Sequence, residues 1–191
     1  GNWHTSGSWT LASGSDTDGV PDSDDTVTIS SGDTVTVTAT AAATTLTVTG
    51  TLVTEAALTI SGDVTAPGST TLNGGNVVVS GDFTNSGTLK LYAGNYLQLD
   101  GSTKTLTNTG AIEALAGEDS FSRIIVAGTI NDSGASSNKY QRWINGTGDA
   151  GTSTGWDLIG VPTSNTSITT TITENGDIAT SGSGTSILYG V

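Results

Sequence analysis

The pentads LTVTG at 46–50, LTISG at 58–62, VVVSG at 77–81, LQLDG at 97–101 and IIVAG at 124–128 share the pattern apolar–x–apolar–x–Gly. A period of two residues is typical of a β-strand with one buried face, and glycine is typical of the corner that follows. These segments therefore predict short strands, each ending at a turn.

Other elements recur in a different register. The segments FTNSG at 83–87, LTNTG at 106–110 and INDSG at 130–134 begin 23 and then 24 residues apart. Strands of this length, recurring about every 20 residues without helical stretches between them, predict the stacked coils of a parallel β-helix. We predict an all-β solenoid of five or six coils over residues 26–138.

The alternation also predicts which side chains form the core, since successive residues of a strand face opposite sides. The residues expected to point inward are Leu46, Val48, Leu58, Ile60, Val77, Val79, Leu97, Leu99, Ile124 and Val126. Asn85 and Asn108, with Asp132 in the matching place, have two interpretations. They either stack as a polar ladder at one corner or merely tolerate a left-handed turn there.

The pattern changes near Lys139, where Trp143, Trp156 and Tyr189 appear among new apolar runs. We interpret 139–191 as the start of a second β module, antiparallel in type. Because Val191 closes an apolar strand, we expect the module to be truncated. Residues 1–25 are expected to form an N-terminal cap and an acidic loop.

Composition limits the partners. The net charge is −13 with five scattered basic residues, so we expect neither nucleic acid nor an anionic membrane as a partner. Cysteine and methionine are both absent, which favours a secreted protein at the extracellular cell surface. No apolar run approaches the ~20 residues needed to span a bilayer, so membrane insertion is not expected.

Residues 8–64 carry a family resemblance. A Trp, a short loop, the segment GVP, paired Asp before an alternating strand and a Gly-Thr-Leu turn resemble the eight-glycine domain. That domain opens β-helices of fibrocystin-like and hyaluronan-depolymerising surface proteins. The pattern is also similar to β-helical segments of large Bacteroidota surface proteins and adhesins. The resemblance implies a right-handed β-helix at the cell surface, and no position matches an active-site motif that would carry catalysis with it.

The strongest candidate site is the acidic run 16–25. Its carboxylates are Asp16, Asp18, Asp22, Asp24 and Asp25. Calcium takes six to eight oxygen ligands, which carboxylates at alternating loop positions around a glycine can supply. The run resembles a thrombospondin type 3 repeat but lacks the bidentate Glu of an EF-hand. The alternative is a solvated loop in which Asp24 or Asp25 caps the entry to the first strand.

The residue inventory disfavours catalysis. His4 is the single histidine, and the glutamates are isolated in sequence. Arg123 is the one candidate base for a lyase, and a surface position is the simpler reading. We therefore predict a non-catalytic structural or adhesive segment that packs with neighbouring domains or with copies of the same protein in a surface assembly or fibre. The alternative is a module that binds a neutral extracellular polysaccharide, with Trp rings stacked on sugars.

Threonine runs such as TVTVTAT at 34–40 resemble the flat Thr-x-Thr faces of ice-binding solenoids. That activity needs threonines aligned on one face of successive coils. NYLQLD at 95–100 and SRIIVA at 122–127 interrupt the run. The linear sequence therefore disfavours ice binding.

Overall fold

Short strands fill most of the described chain, because β-branched Thr and Val are frequent and buried apolar residues alternate with exposed or half-buried ones. The structure is a computed structural model. It describes residues 1–92, 94–101, 103–115, 123–126, 129–132, 169–170, 178–180 and 186–188. Over these residues the protein is all-β apart from a 3-10 turn at Ser6–Ser8. No helix among them is long and apolar enough to cross a membrane.

In the described residues between Thr26 and Asp132, sixteen strands follow one another. They are β1 (Thr26–Ile29), β2 (Thr34–Val37), β3 (Ala41–Ala43), β4 (Thr45–Val48), β5 (Thr51–Thr54), β6 (Leu58–Ile60), β7 (Val64–Ala66), β8 (Ser69–Leu72), β9 (Val77–Val79), β10 (Phe83–Asn85), β11 (Thr88–Tyr92), β12 (Tyr96–Leu99), β13 (Thr105–Asn108), β14 (Ala111–Leu115), β15 (Arg123–Val126) and β16 (Thr129–Asp132). Every third strand belongs to the same sheet.

Three parallel sheets form the walls of the molecule. Sheet 1 begins at β1, sheet 2 at β2 and sheet 3 at β3. Three consecutive strands make one coil, so five coils run from β1 to β15, and β16 begins another. Val27 pairs with Leu46, and Leu46 in turn pairs with Val64, without a slip in register. The structure is thus a β-solenoid of about five coils, as the repeats predicted.

The core is the column of apolar side chains between the three sheets. Nine of the ten residues predicted to point inward are buried, and the tenth, Val126, has its side chain outside the described part. One grouping differs from the prediction. The pentad 46–50 lies on sheet 1, whereas the other four pentads supply strands of sheet 3. Glycine follows the first strand of a coil as well as the third, so the pentad pattern does not separate the two.

Glycine is required at the corner between sheets 1 and 2. Gly50, Gly68, Gly87 and Gly110 stack there from coil to coil, and we call them the glycine corner. A Cβ on Gly68 would overlap the carbonyl oxygen of Gly50, and one on Gly87 would overlap that of Gly68. The backbone hydrogen bonds continue through the same corner, where Thr88 N donates to Gly68 O at 2.9 Å. Close stacking of backbone on backbone excludes any side chain here.

The asparagine ladder is confirmed for Asn85 and Asn108. Both side chains are fully buried, and Asn85 Nδ2 donates to Asn108 Oδ1 at 2.7 Å. Asn108 Nδ2 donates to Gly110 O at 3.3 Å, which ties the ladder to the glycine corner. The side chain of Asp132, the third predicted member, lies outside the described residues.

The N-terminal segment covers the first coil. Trp3 is fully buried, its backbone N donates to Thr36 O at 2.9 Å, and Asn2 pairs with Thr36 in a parallel bridge. The predicted boundary near 138 and most of the predicted second module lie outside the described residues. Three short strands are described there: β17 (Thr169–Thr170), β18 (Ile178–Thr180) and β19 (Ser186–Leu188). β17 pairs parallel with β16, and β18 pairs antiparallel with β19.

Candidate functional site

The acidic loop leads from the N-terminal segment into β1. Its backbone is folded by its own carboxylates, since Asp16 Oδ1 accepts the N–H of Asp18 at 3.0 Å and Asp18 Oδ1 accepts that of Val20 at 2.9 Å. Gly19 between them has a φ of 71°. Such side chain to backbone bonds are typical of Asx turns, so the Asp-rich sequence forms a chain of tight turns.

Three of the five predicted ligands converge. Carboxylate oxygens of Asp22, Asp24 and Asp25 all lie within 4.8 Å of one another. Asp22 Oδ1 accepts the N–H of Asp24 at 3.1 Å, and Asp25 Oδ2 accepts that of Asp22 at 2.9 Å. Each carboxylate has two oxygens, so these bonds leave acceptor positions for a cation. Asp25 also matches the alternative reading, because its side chain helps to order the entry to β1.

The carboxylates of this cluster influence one another. The side-chain hydrogen bond between Asp22 and Asp24 lowers the pKa of Asp22. The same bond, together with repulsion from the Asp22 charge, raises the pKa of Asp24. A like charge nearby disfavours ionisation of a second carboxylate, and a cation in the same place would relieve that repulsion.

The other two predicted ligands lie apart from the cluster. Asp16 lines the same groove as Asp24 and Asp25, whereas Asp18 is bonded within its own turn. The groove has a volume of about 460 Å³ and runs between residues 9–16 and β1. The residues therefore fit a hard cation best at Asp22, Asp24 and Asp25, with Asp16 across the groove.

The two tryptophans near the N-terminus form one packed unit. Their rings meet edge to face with centroids 5.2 Å apart. Trp3 Nε1 donates to Pro21 O at 3.0 Å, and Trp9 Nε1 donates to Trp3 O at 2.7 Å. Because Trp3 is fully buried, it offers no face to a sugar ring. Trp9 is half-buried and lines the groove.

The other candidate chemical groups have structural partners where they are described. His4 Nε2 lies 3.0 Å from Ala39 O. Glu113 forms an ion pair with Lys90 of the preceding coil at 3.2 Å. Arg123 lies on β15, and its side chain is outside the described part.

The outer face of sheet 1 carries an array that the sequence reasoning missed. Threonines in the same position of five successive coils pair with one another in register. They are Thr28, Thr47, Thr65, Thr84 and Thr107, and we call them the threonine column. All five lie on the solvent side of their strands, exposed or half-buried. A search for threonine at the coil repeat, rather than in continuous runs, would have found the column.

A second column stands two residues before the first on each coil. Its members are Thr26, Thr45, Asp63, Asp82 and Thr105, and we call them the flanking column. Thr45 Oγ1 donates to Thr26 Oγ1 at 3.2 Å. Asp63 Oδ1 accepts the N–H of Asp82 at 2.9 Å, and Asp82 Oδ1 accepts that of Thr105 at 2.8 Å. These carboxylates are held against the backbone at the entry to their strands.

Comparison with known proteins gives no match. No family model matches the chain, and neither a curated protein nor a solved structure matches it. The resemblance of residues 8–64 to the eight-glycine domain therefore stays a prediction, and the functional argument rests on the geometry described above.

Proposed function

We propose that this chain is a non-catalytic structural or adhesive segment of a secreted bacterial surface protein. In this proposal the solenoid winds as a right-handed β-helix and is followed by an antiparallel module over 139–191. Its partners are neighbouring domains or further copies of the same protein.

The observation that carries the proposal is the in-register stacking of five coils on internal columns of Asn and Gly. Asn85 and Asn108 bond to each other inside the wall, and Gly68 and Gly87 stack at the corner. Each coil thereby fixes the next, which gives an elongated unit with three regular outer faces. A rigid unit of this kind suits a stalk or an adhesive surface, because little conformational entropy is lost when it binds.

Calcium is part of the proposal as a stabilising ion at the acidic loop. Asp22, Asp24 and Asp25 supply hard oxygen ligands in the loop that leads into β1. An ion there would neutralise the crowded carboxylates and hold the loop against the first coil.

A second candidate function is binding of a neutral polysaccharide in the groove beside β1. Trp9 and the largely exposed Leu11 line this groove, and an aromatic next to an apolar side chain suits the face of a sugar ring. The net charge of −13 disfavours acidic glycans.

A glycan array read with and without calcium, combined with sedimentation velocity, tests both proposals. For a structural segment we expect no saturable glycan binding and concentration-dependent self-association. Saturable binding that is lost in Trp9→Ala would favour the polysaccharide module. Release of sugar fragments from any polysaccharide would contradict the non-catalytic assignment.

A further inference from the structure

We propose that the outer face of sheet 1 is a binding site for ice, with the threonine column as its contact surface. The column repeats once per coil through Thr28, Thr47, Thr65, Thr84 and Thr107, with no slip in register. The inference rests on the stacking of the coils and is independent of the structural role proposed above.

The spacing of the array follows from strand geometry. Neighbouring strands lie ~4.8 Å apart, and residues i and i+2 of one strand lie ~6.7 Å apart. The threonine and flanking columns therefore form a two-dimensional grid with these two repeats. The repeat between strands is close to the shorter repeat between oxygen atoms on the prism faces of hexagonal ice. Five coils give a column about 19 Å long.

Threonine suits such a grid for two reasons. Its β-branched side chain is stiff at χ1, so hydroxyl and methyl groups repeat at nearly fixed positions along the column. Within the described part of the chain, the hydroxyls of Thr28, Thr47 and Thr65 have no hydrogen-bond partner and are available to water. An ordered layer of water can bridge these hydroxyls to a crystal, while the methyl groups rest between the waters.

The interior explains why the face stays regular. Parallel strands normally twist relative to one another, and a flat sheet of many strands requires stacking or side-chain ladders. Sheet 1 has both, since Asn85 and Asn108 belong to its strands and the glycine corner follows them. The face is therefore held as a preformed surface.

The segments that interrupt the threonine runs in the sequence lie outside this face. The interrupting segments 95–100 and 122–127 contribute β12 and β15, which both belong to sheet 3. On sheet 1 the threonine column is continuous over five coils. No aromatic side chain projects from this face in its described strands β1 to β13, which disfavours a sugar as the occupant.

The flanking column is interrupted by two charges. Asp63 and Asp82 occupy positions where Thr45 and Thr105 stand in other coils, and both are exposed. A carboxylate holds its own hydration shell and does not fit an ice lattice. The proposal therefore predicts adsorption to ice centred on the threonine column, with the two aspartates limiting its strength.

The test is adsorption of the purified chain to slowly grown ice, measured as the fraction of protein in the ice, together with inhibition of ice recrystallisation. Thr65→Lys places a charged, mobile side chain in the middle of the column. Thr59→Lys is the matched control, because both threonines are exposed centres of three-residue strands with buried neighbours, on sheets 1 and 3. Circular dichroism establishes that both variants are folded.

We expect the wild-type chain and Thr59→Lys to enter the ice and Thr65→Lys to be excluded from it. Asp63→Thr with Asp82→Thr completes the flanking column and should increase both activities. The proposal is overturned if the folded wild-type chain is excluded from ice or if both lysine variants behave alike. It is equally overturned if the double threonine variant stays folded without any gain, or if the column binds chitin or cellulose and not ice.

Discussion

The amide pair of Asn85 and Asn108 shows how single residues hold neighbouring coils together. Asn85 Nδ2 donates to Asn108 Oδ1 at 2.7 Å and to Ala111 O at 3.1 Å, in a site without solvent exposure. A buried polar group that loses its partner costs about 1–3 kcal/mol. The pair therefore fixes register as well as stability, because the bond from Asn85 Nδ2 to Asn108 Oδ1 forms only when the coils are aligned.

Asn108→Ala should lower the free energy of unfolding by about 1–3 kcal/mol, because it leaves Asn85 Nδ2 without its closest acceptor. Asn73→Ala is the control, since Asn73 is exposed at another corner. Urea denaturation measures both. Equal effects of the two substitutions would show that the buried ladder adds no particular stability.

At the acidic loop, calcium at millimolar concentration should raise the melting temperature, because an ion that binds only the folded state stabilises it. Asp24→Asn and Asp25→Asn should each abolish this increment. Asp33→Asn removes one negative charge from an exposed position outside the cluster, so this variant should keep the calcium-dependent increase in melting temperature. Differential scanning calorimetry decides between the two readings of the loop. If calcium does not change the melting temperature of the wild-type chain, the acidic loop is a solvated turn and not a calcium site.

The pH dependence of the calcium effect follows from the pKa of Asp24, which the hydrogen bond with Asp22 raises. Calcium binds ionised carboxylates, so the calcium increment should shrink as pH falls toward the raised pKa of Asp24 and the carboxylates become protonated. Without calcium, the pKa shifts of Asp22 and Asp24 have opposite effects on how the stability of the fold changes with pH. The lowered pKa of Asp22 contributes stability that is lost as pH falls, and the raised pKa of Asp24 contributes stability that is lost as pH rises. A calcium increment that stays constant as pH falls to about 4 would contradict a ligand role for Asp24.

At the scale of elements, the glycine corner is the most restrictive feature of the coils. Gly87→Ala should destabilise the fold by about 3 kcal/mol, because its Cβ would overlap the carbonyl oxygen of Gly68 in a packed wall. Gly7→Ala is the matched control, since nothing lies within 4 Å of a Cβ there. Thermal unfolding of the two variants measures the difference. A Gly87→Ala variant as stable as Gly7→Ala would contradict the close stacking of this corner.

Strands and their buried faces were predictable from the sequence, because alternation reports directly on which side chains face the core. The assignment of strands to sheets was not. Residues 46–50 and 58–62 share a pattern and a following glycine, yet they lie on sheets 1 and 3. Local alternation contains no information on which wall a strand joins. That depends on the corners, which set the number of residues per coil, from 17 between Val35 and Leu52 to 27 between Leu97 and Ile124.

The candidate sites were predictable to different degrees. The run 16–25 could be identified from the sequence because its carboxylates are close along the chain. Which of them converge depends on the fold, and the structure brings together Asp22, Asp24 and Asp25. The threonine column was hidden because its members, such as Thr47 and Thr65, come from different coils. A site made by stacking becomes apparent only once the register is known.

For the whole molecule, the structural role and the ice-binding face both depend on the in-register stacking of the coils along one axis. The chain contains no cysteine, so labels can be placed at single engineered sites without background. Thr28 and Thr107 are suitable positions, because both lie on the solvent side of sheet 1, in its first and fifth coils.

The most direct test is the distance between spin labels at Thr28→Cys and Thr107→Cys, measured by double electron–electron resonance. Four steps between neighbouring strands predict about 19 Å between the two backbone positions. Moving the second label from 107 to 84 should shorten this by about 5 Å, one strand step. A narrow distribution near these distances is the expected result. A broad distribution, or a separation that does not shorten when the label moves by one coil, would contradict the stacked solenoid and the proposals built on it.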